Sequence, residues 1–219
     1  MASEPLDVAE AHNRRARVAT AALFGTNGAL FANLLPRYPE IKADLDLSNA
    51  AYGAAIAAYS GGALVAGLGA AMLIRRYRSS RVAVAGTLGI GLFIVVAAVA
   101  ANPIVLAAAL FVAGACDAVT DVAQNAHALR VQRNYGRSII NSFHAVWAVG
   151  AILGGLMGAG AIALNMPRAT HLTIAACVFG AVVLLAYPYL LRGHDHDDHP
   201  SEWTPDGPGA GTAVYGTLL

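Results

Sequence analysis

The sequence predicts an all-α membrane protein whose spans form a six-transmembrane-helix bundle. The chain has 219 residues, of which 57% are hydrophobic and only 12% charged, and its mean hydropathy is +0.56. An average soluble domain is about 25% charged. Six apolar runs are long enough to cross about 30 Å of hydrocarbon, and such runs must be helical because lipid offers no hydrogen-bond partner to the backbone. The predicted spans are 17–35, 50–74, 82–101, 103–128, 142–164 and 169–191.

Residues that break or cap helices separate these spans. Pro36 closes the first span, Asn102 and Pro103 separate the third from the fourth, and residues 165–167 separate the fifth from the sixth. Ser48 precedes the second span, where a serine side chain caps a helix well. A cap is the favoured role for Ser48, and a part in a substrate gate is the alternative.

The basic residues are concentrated on one side of the predicted bundle. Eleven of the fourteen lie there: Arg14, Arg15, Arg17, Arg75, Arg76, Arg78, Arg81, Arg130, Arg133, Arg137 and Arg192. Because basic loops stay in the cytoplasm, both termini are predicted to be cytoplasmic and the protein to be a multi-pass protein of the plasma membrane, the inner membrane of a bacterial cell. The net charge of +1 provides no general attraction for nucleic acid.

The two ends of the chain are predicted to lie outside the membrane. We expect a cytoplasmic segment over 1–16, the transmembrane domain over 17–191 and a disordered cytoplasmic tail over 192–219, which is rich in Pro and Gly. The tail contains four potential metal ligands whose spacing matches no closed zinc site, so a solvated linker is the favoured interpretation and neither a metal nor a cofactor is predicted. These residues are His194, His196, Asp197 and His199.

The fourth span carries a polar stripe that is the first candidate site. On a helix, Asp117, Asp121 and Gln124 lie on one face, with Asn125 beside them. An acid inside a membrane must face a partner or a watery cavity and is by default a functional candidate. A carboxyl group that gains and loses a proton is what proton-coupled transport requires. The alternative is that an aspartate only pairs with an arginine or caps a helix.

Three further polar residues are candidates for binding a substrate. Asn27 is flanked by glycines in the first span, and His144 and Trp147 lie near the start of the fifth. A lone buried Asn more often bonds two helices together. An indole offers a flat face to a sugar, whereas both His144 and Trp147 could instead serve in packing at the membrane interface.

Small residues recur at helical spacing in two spans. They are Gly150, Gly154 and Gly158 in the fifth, and Gly62, Ala66 and Ala70 in the second. Such stripes let helix backbones approach closely in lipid. Packing within the chain is the favoured interpretation, and a dimer face is the alternative.

Several longer stretches resemble the major facilitator superfamily of transporters. The chain reads NGALFANLLPRYPEIKADLDLSNAAYG from the first span, IRRYRSSRVAVAG after the second and RNYGRSIINSFHAVWAVGAILGG entering the fifth. Over about residues 15–191 it resembles the N-terminal six-helix half of this family, and within it the bacterial subgroup related to sugar and fucose permeases. The resemblance implies alternating access around a midplane cavity lined by the first and fourth helices, which contain Asn27, Asp117 and Asp121.

One loop departs from the family pattern. Between the second and third spans the family reads G-x-L-x-D-R-x-G-R-R, whereas this chain has Ala71, Arg75 and Arg78 at the first Gly, the Asp and the second Gly. The acid of the usual gating charge pair is therefore absent. The resemblance places the cytoplasmic gate on two basic loops, which contain Arg75, Arg76, Arg78, Arg81, Arg130, Arg133 and Arg137.

These observations predict a secondary transporter of half the usual size or a truncated one. It would move a small polar solute such as a sugar together with protons, with Asp117 or Asp121 as the proton site and with Asn27, Gln124, Asn125, His144 and Trp147 around the solute. A second copy or a separate chain would supply the other half. A non-transporting fragment or accessory subunit is the alternative. No phosphate loop, HExxH or GxSxG motif indicates an enzyme.

Overall fold

The fold is a bundle of long helices without strands among the residues that the structure describes. The computed structural model describes residues 4–193, with side chains from residue 10 onward. Six helices or helix runs are long and apolar enough to cross a membrane, which confirms the predicted number. The helices are α1 Glu4–Leu34, α2 Tyr38–Asp44, α3 Asn49–Tyr77, α4 Ser79–Ala98, α5 Pro103–Tyr135, α6 Ile140–Ala163 and α7 Arg168–Ala186, with 3-10 turns at Leu35–Arg37 and Tyr187–Tyr189.

The predicted caps and breaks define several helix ends. The Ser48 side chain accepts a hydrogen bond of 3.2 Å from the backbone N–H of Ala51 at the start of α3. The Asn102 side chain does the same for Val105, at 2.9 Å, at the start of α5. Asx and Ser side chains at these positions satisfy amides that the first helical turn leaves without partners. The cap predicted for Ser48 is confirmed.

Two helices are longer than the apolar runs that predicted them. Helix α1 begins at Glu4 rather than near residue 17, and α5 continues to Tyr135, where Gly136 ends it in the left-handed conformation at φ 63°. The added turns are polar and lie where a helix leaves the hydrocarbon, so hydropathy does not detect them. The connection between the first two spans also contains α2, which the apolar runs did not predict.

Helix α1 occupies the middle of the bundle and is its most buried span. It packs along α6, while α3 packs along α5, and α4 lies between α5 and α7. A Cβ at Gly62 of α3 would collide with the backbone carbonyl of Phe111 in α5, so the two backbones are in direct contact there. The predicted role of the small residues in packing within the chain is therefore confirmed at this position.

The outer helices leave wide apolar faces uncovered. Only 11% of the α3 span and 22% of the α6 span are buried inside the bundle. Large apolar side chains cover the exposed faces: Leu64, Val65, Leu68 and Met72 on α3, and Ile152, Leu153 and Leu156 on α6. Faces this apolar suit hydrocarbon or further protein.

Candidate functional site

A chain of hydrogen bonds joins three spans at the centre of the bundle. The Trp147 Nε1–H of α6 donates to Asn27 Oδ1 of α1 at 2.7 Å, and Asn27 Nδ2 donates to Asp117 Oδ1 of α5 at 2.8 Å. Asn27 is 3% exposed. It lies in the middle of the first candidate span, and Asp117 lies near the middle of the α5 span. Three predicted site residues therefore form one unit in the middle of the membrane-spanning region.

Each member of this chain has its hydrogen-bonding role fixed by its neighbours. An indole N–H only donates, so the atom of Asn27 that faces Trp147 must be its carbonyl oxygen. The Asn27 amide group then points to Asp117, whose carboxylate accepts. The Asn27 side chain thus bonds the Asp117 carboxylate through its amide nitrogen and the Trp147 indole N–H through its carbonyl oxygen. It is a three-helix connection rather than a simple pair between two helices.

A tyrosine hydroxyl completes the surroundings of Asp117. Tyr59 of α3 lies within electrostatic range of the Asp117 carboxyl group. Its hydroxyl is buried and has no partner of good hydrogen-bond geometry within the described residues. Tyr59 was not among the site residues predicted from the sequence. The Tyr59 hydroxyl therefore interacts with Asp117 without a well-formed hydrogen bond, and it is placed to bond a group that enters the site.

The rest of the polar stripe forms a second group about one turn further along α5. Asn125 Nδ2 donates to Asp121 Oδ1 at 3.0 Å, and Gln124 Nε2 lies 3.4 Å from the same oxygen. Gln124 is fully buried and its Oε1 atom has no partner among the described residues, whereas Asp121 is exposed. The predicted common face is present, but its two carboxyl groups are in different environments.

His144 lies beside this site but outside the hydrogen-bond chain. Its ring packs edge-on against Phe24 at a centroid distance of 5.4 Å and is otherwise exposed. Phe24 also stacks on Phe143, so the aromatic group anchors α1 to the start of α6. A role for His144 in binding a solute stays a prediction.

The predicted gate arginines all lie at one end of the bundle, called here the basic end, where α3, α5 and α7 finish and α4 and α6 begin. The arginines of the loop between α3 and α4 form no ion pair within residues 10–193. Arg130 differs, because it is 2% exposed and donates from Nη2 to the carbonyl of Arg192 at 3.1 Å. This contact connects the end of α5 to the segment that follows α7.

Arg78 occupies a backbone conformation that suits glycine. Its φ of 75° and ψ of 144° lie in a region that costs a residue with a side chain about 1–3 kcal/mol. The resemblance aligns this position with a glycine of the family pattern, so a residue with a Cβ stands where the backbone turns sharply from α3 into α4.

We therefore expect Arg78→Gly to stabilise the protein by about 1 kcal/mol or more, which corresponds to a few degrees in Tm. Thermal unfolding in detergent measures this change. Arg78→Ala is the matched control, because it removes the same charge but keeps the Cβ, and its Tm should not rise. Equal Tm values for the two variants would show that charge, and not backbone strain, determines stability here.

Sequence reasoning missed a polar network at the opposite end. Arg37 is 3% exposed and donates to Glu40 Oε2 and to the carbonyl of Met166, both at 2.8 Å. His171 Nε2 lies 2.9 Å from Asn33 Oδ1, and the Arg37 Nε–H points at His171 Nδ1 at 3.4 Å. Because Nδ1 accepts, Nε2 carries the proton and His171 is neutral. The network joins α1 to α7.

A second arginine strengthens that end of the bundle. Arg168 pairs with Asp44 and lies 3.5 Å from Glu40, and its Nε–H donates to the carbonyl of Ala98 at the end of α4. The only sequence signals for this network were an arginine between two prolines and a histidine early in the last span. Neither signal identifies a partner.

The described residues hold no group of three or more His, Cys, Asp or Glu side chains placed for a metal ion. The predicted tail beyond residue 193, with its histidines and aspartates, lies outside the described residues.

In comparison with known proteins, the chain matches a transporter family and proteins named as transporters. A family model described as the Major Facilitator Superfamily matches residues 20–215. An uncharacterised transporter of Sinorhizobium fredii, y4wD, is 32% identical over 186 residues, which are 80% of this chain and 48% of that protein. An uncharacterised MFS-type transporter of Yersinia pestis is 32% identical over 96 residues, 42% of this chain and 24% of that protein. The chain thus spans at most about half the length of these relatives. No solved structure gives a significant match.

Proposed function

Because the chain belongs to the major facilitator superfamily, we propose that it forms one half of a secondary active transporter that moves a small polar solute, such as a sugar, together with protons. The six spans would provide one wall of a cavity with alternating access. A further six-helix half, encoded in the same chain or in another, would provide the other wall. Membership of the sugar-permease subgroup is also a proposal, because the names of the two matched relatives state no substrate.

The hydrogen-bond chain from Trp147 through Asn27 to Asp117 is the observation that carries the proposal. It places an acid, an amide and an indole together in the middle of the spans, where polar groups are costly and are retained for ion or solute pathways. A sugar presents hydroxyl groups that can exchange hydrogen bonds with Asn27 and Asp117. Its apolar ring face fits against the indole of Trp147, whose orientation the bond to Asn27 fixes.

Asp117 is the proposed proton site. An ionised carboxylate only accepts hydrogen bonds, whereas a protonated one also donates through its O–H. Proton binding at Asp117 therefore changes the polarity of the hydrogen bonds offered to a solute and to Tyr59, and it removes a charge from the middle of the membrane. The transporter with a protonated Asp117 and the transporter with an ionised Asp117 then differ in the free energy needed to pass through the closed conformation.

Asp121 has a supporting role in this proposal. It lies one turn from Asp117, is exposed, and bonds within its own helix to Asn125. Gln124 and Asn125 hold Asp121 in position and extend the polar face along which a solute would pass.

The proposed orientation puts the basic end and both termini in the cytoplasm of a cell whose plasma membrane contains the protein. The arginines at positions 75, 76, 78, 81, 130, 133 and 137 then surround the cytoplasmic mouth. Most of them are exposed there, whereas Arg130 is buried against the carbonyl of Arg192.

Solute binding can be tested through Trp147 itself. The chain has two tryptophans, Trp147 and Trp203, so Trp203→Phe leaves one indole, in the proposed site. We expect a monosaccharide from a panel of neutral and acidic sugars to change its fluorescence saturably. Asn27→Ala should weaken that binding about 10-fold or more, because it removes hydrogen bonds to a carboxylate and an indole.

Thr20→Val is the matched control for Asn27→Ala. Thr20 lies seven residues earlier on α1, is fully buried, and donates only to the carbonyl of Ala16 within its own helix, at 2.8 Å. Its loss should leave sugar affinity unchanged. Saturable binding that survives Asn27→Ala, or a folded protein that binds none of the panel, would contradict the proposed site.

A further inference from the structure

A groove at the basic end lies between the first and last spans, on the outside of the bundle. Its volume is about 750 Å³, and residues of α1 and of the end of α7 line it. Those used below are Arg14, Arg15, Val18, Ala22, Leu185 and Tyr189. None of them belongs to the polar site around Asp117. The groove is therefore a separate feature of the molecule.

The mouth of the groove carries positive charge that no acidic side chain within residues 10–193 pairs with. Arg14 and Arg15 are both exposed, and neither forms an ion pair within residues 10–193. Among the described residues that line the groove, none is acidic. The arginines at the other end of the bundle, Arg37 and Arg168, are by contrast paired with Glu40 and Asp44.

The walls of the groove are apolar and face outward. Val18 is 65% exposed and Leu185 73% exposed, and Ala22 continues the same face of α1 one turn beyond Val18. The arginines lie one to two turns nearer the end of the bundle than these residues. Moving along the groove, charge at the mouth is thus followed by about two turns of hydrocarbon surface.

An aromatic residue marks the boundary between the charged and apolar parts. Tyr189 is 51% exposed and lies in the 3-10 turn at the end of α7. Tyrosines favour the headgroup level of a bilayer, where the ring contacts lipid and the hydroxyl contacts water. Its presence puts the mouth of the groove at that level.

We propose that this groove is a binding site for an anionic phospholipid of the leaflet at the basic end. Arg14 and Arg15 bind the headgroup phosphate, and an acyl chain lies along Val18, Ala22 and Leu185. A soluble anion would satisfy only the two arginines and would leave the apolar walls in water, whereas a phospholipid matches both parts. Basic pockets between spans that face the cytoplasm commonly bind such headgroups.

A second cavity beside α1 differs from the groove in the charges of its lining residues. It has a volume of about 860 Å³ and is lined by Glu10 as well as by Arg14 and Arg17. Arg17 lies over the ring of Tyr135, 5.5 Å from its centroid. Arg14 lines both cavities, but this one also contains the carboxyl group of Glu10, and its second arginine, Arg17, already contacts an aromatic ring. The groove toward α7 is therefore the site we assign to lipid.

Native mass spectrometry of the full chain, equilibrated with phosphatidylglycerol and phosphatidylcholine of identical acyl chains, tests the assignment. We expect preferential retention of phosphatidylglycerol. Arg14→Gln with Arg15→Gln should reduce the preference roughly 5- to 30-fold, because each basic residue near the surface contributes about fivefold. Leu185→Gln should also lower phosphatidylglycerol retention, although it changes no charge.

Arg75→Gln with Arg76→Gln is the matched control, because these arginines are exposed at the same end but line neither groove. It should keep the preference. Thermal unfolding in phosphatidylcholine should give the same Tm for all variants. The proposal is overturned if the Arg14 and Arg15 variant keeps the preference, if the control pair loses it equally, or if millimolar glycerol phosphate displaces the lipid.

Discussion

Replacing Asp117 with Asn is expected to abolish proton-driven accumulation of solute and to leave solute exchange intact. The amide can still accept the bond from Asn27 Nδ2, observed at 2.8 Å, but it cannot bind and release a proton. With one proton per solute, a gradient of one pH unit sustains about tenfold accumulation. In proteoliposomes the ratio of internal to external solute should fall to about one in the variant, because no proton energy remains to drive it.

Asp121→Asn is the matched comparison for that experiment. Asp121 is exposed and bonds only to neighbours on its own helix, so we expect its variant to keep most of the accumulation. Accumulation lost in Asp121→Asn and retained in Asp117→Asn would move the proton site to Asp121. Loss of both accumulation and exchange in Asp117→Asn would indicate a structural role for the acid.

Gly154→Leu should separate α1 from α6 and lower Tm strongly. A Cβ at Gly154 would lie 2.8 Å from the Cα of Ala29 and still closer to its carbonyl oxygen, and the backbone of α1 cannot yield as a side chain can. Forcing extra atoms into such a contact costs about 1–3 kcal/mol for small additions, so a leucine should lower Tm by about 5 °C or more. Thermal unfolding in detergent measures the effect.

The neighbouring residue provides the control. A Cβ at Gly155 meets nothing within 4 Å, so Gly155→Leu should keep Tm or raise it slightly through the better helix propensity of leucine. Gly154→Leu should also perturb Trp147 fluorescence, because α6 holds Trp147 against Asn27 of α1. Equal Tm values for the two leucine variants would contradict close packing along α6.

The number and type of spans could be predicted because bilayer thickness and backbone hydrogen bonding leave few alternatives. The cap at Ser48 could be predicted because a capping side chain acts within three residues of its own position, and the break at Asn102, whose side chain caps α5, could be predicted from the proline that follows it. The small-residue stripe containing Gly154 could be predicted for a similar reason, since helical spacing alone aligns it. These are local features, and each is visible in a short stretch of sequence.

Pairings between distant residues could not be predicted in the same way. Asn27 and Trp147 are 120 residues apart, and Arg37 and His171 are 134 apart. The stripe on α5 identified Asp117 as a candidate, and the resemblance placed it with Asn27 in one cavity. Only the arrangement of the helices shows that Asn27 bonds both Asp117 and Trp147, while His144 packs against Phe24 instead.

Helix lengths were underestimated for a physical reason as well. The polar turns at the start of α1 and at the end of α5 lie beyond the hydrocarbon, where hydropathy gives no signal. They position two arginines, because α1 brings Arg14 to the groove proposed to bind lipid and α5 brings Arg130 to the carbonyl of Arg192.

The most direct test of the proposed transport mechanism is the movement of protons caused by solute. A pH-sensitive dye outside proteoliposomes, with the membrane potential clamped at zero, should report alkalinisation when a transported sugar is added. We expect this signal for the wild-type protein and its loss in Asp117→Asn. An unchanged signal in a variant with both Asp117→Asn and Asp121→Asn, or sugar entry into wild-type vesicles without any alkalinisation, would contradict it.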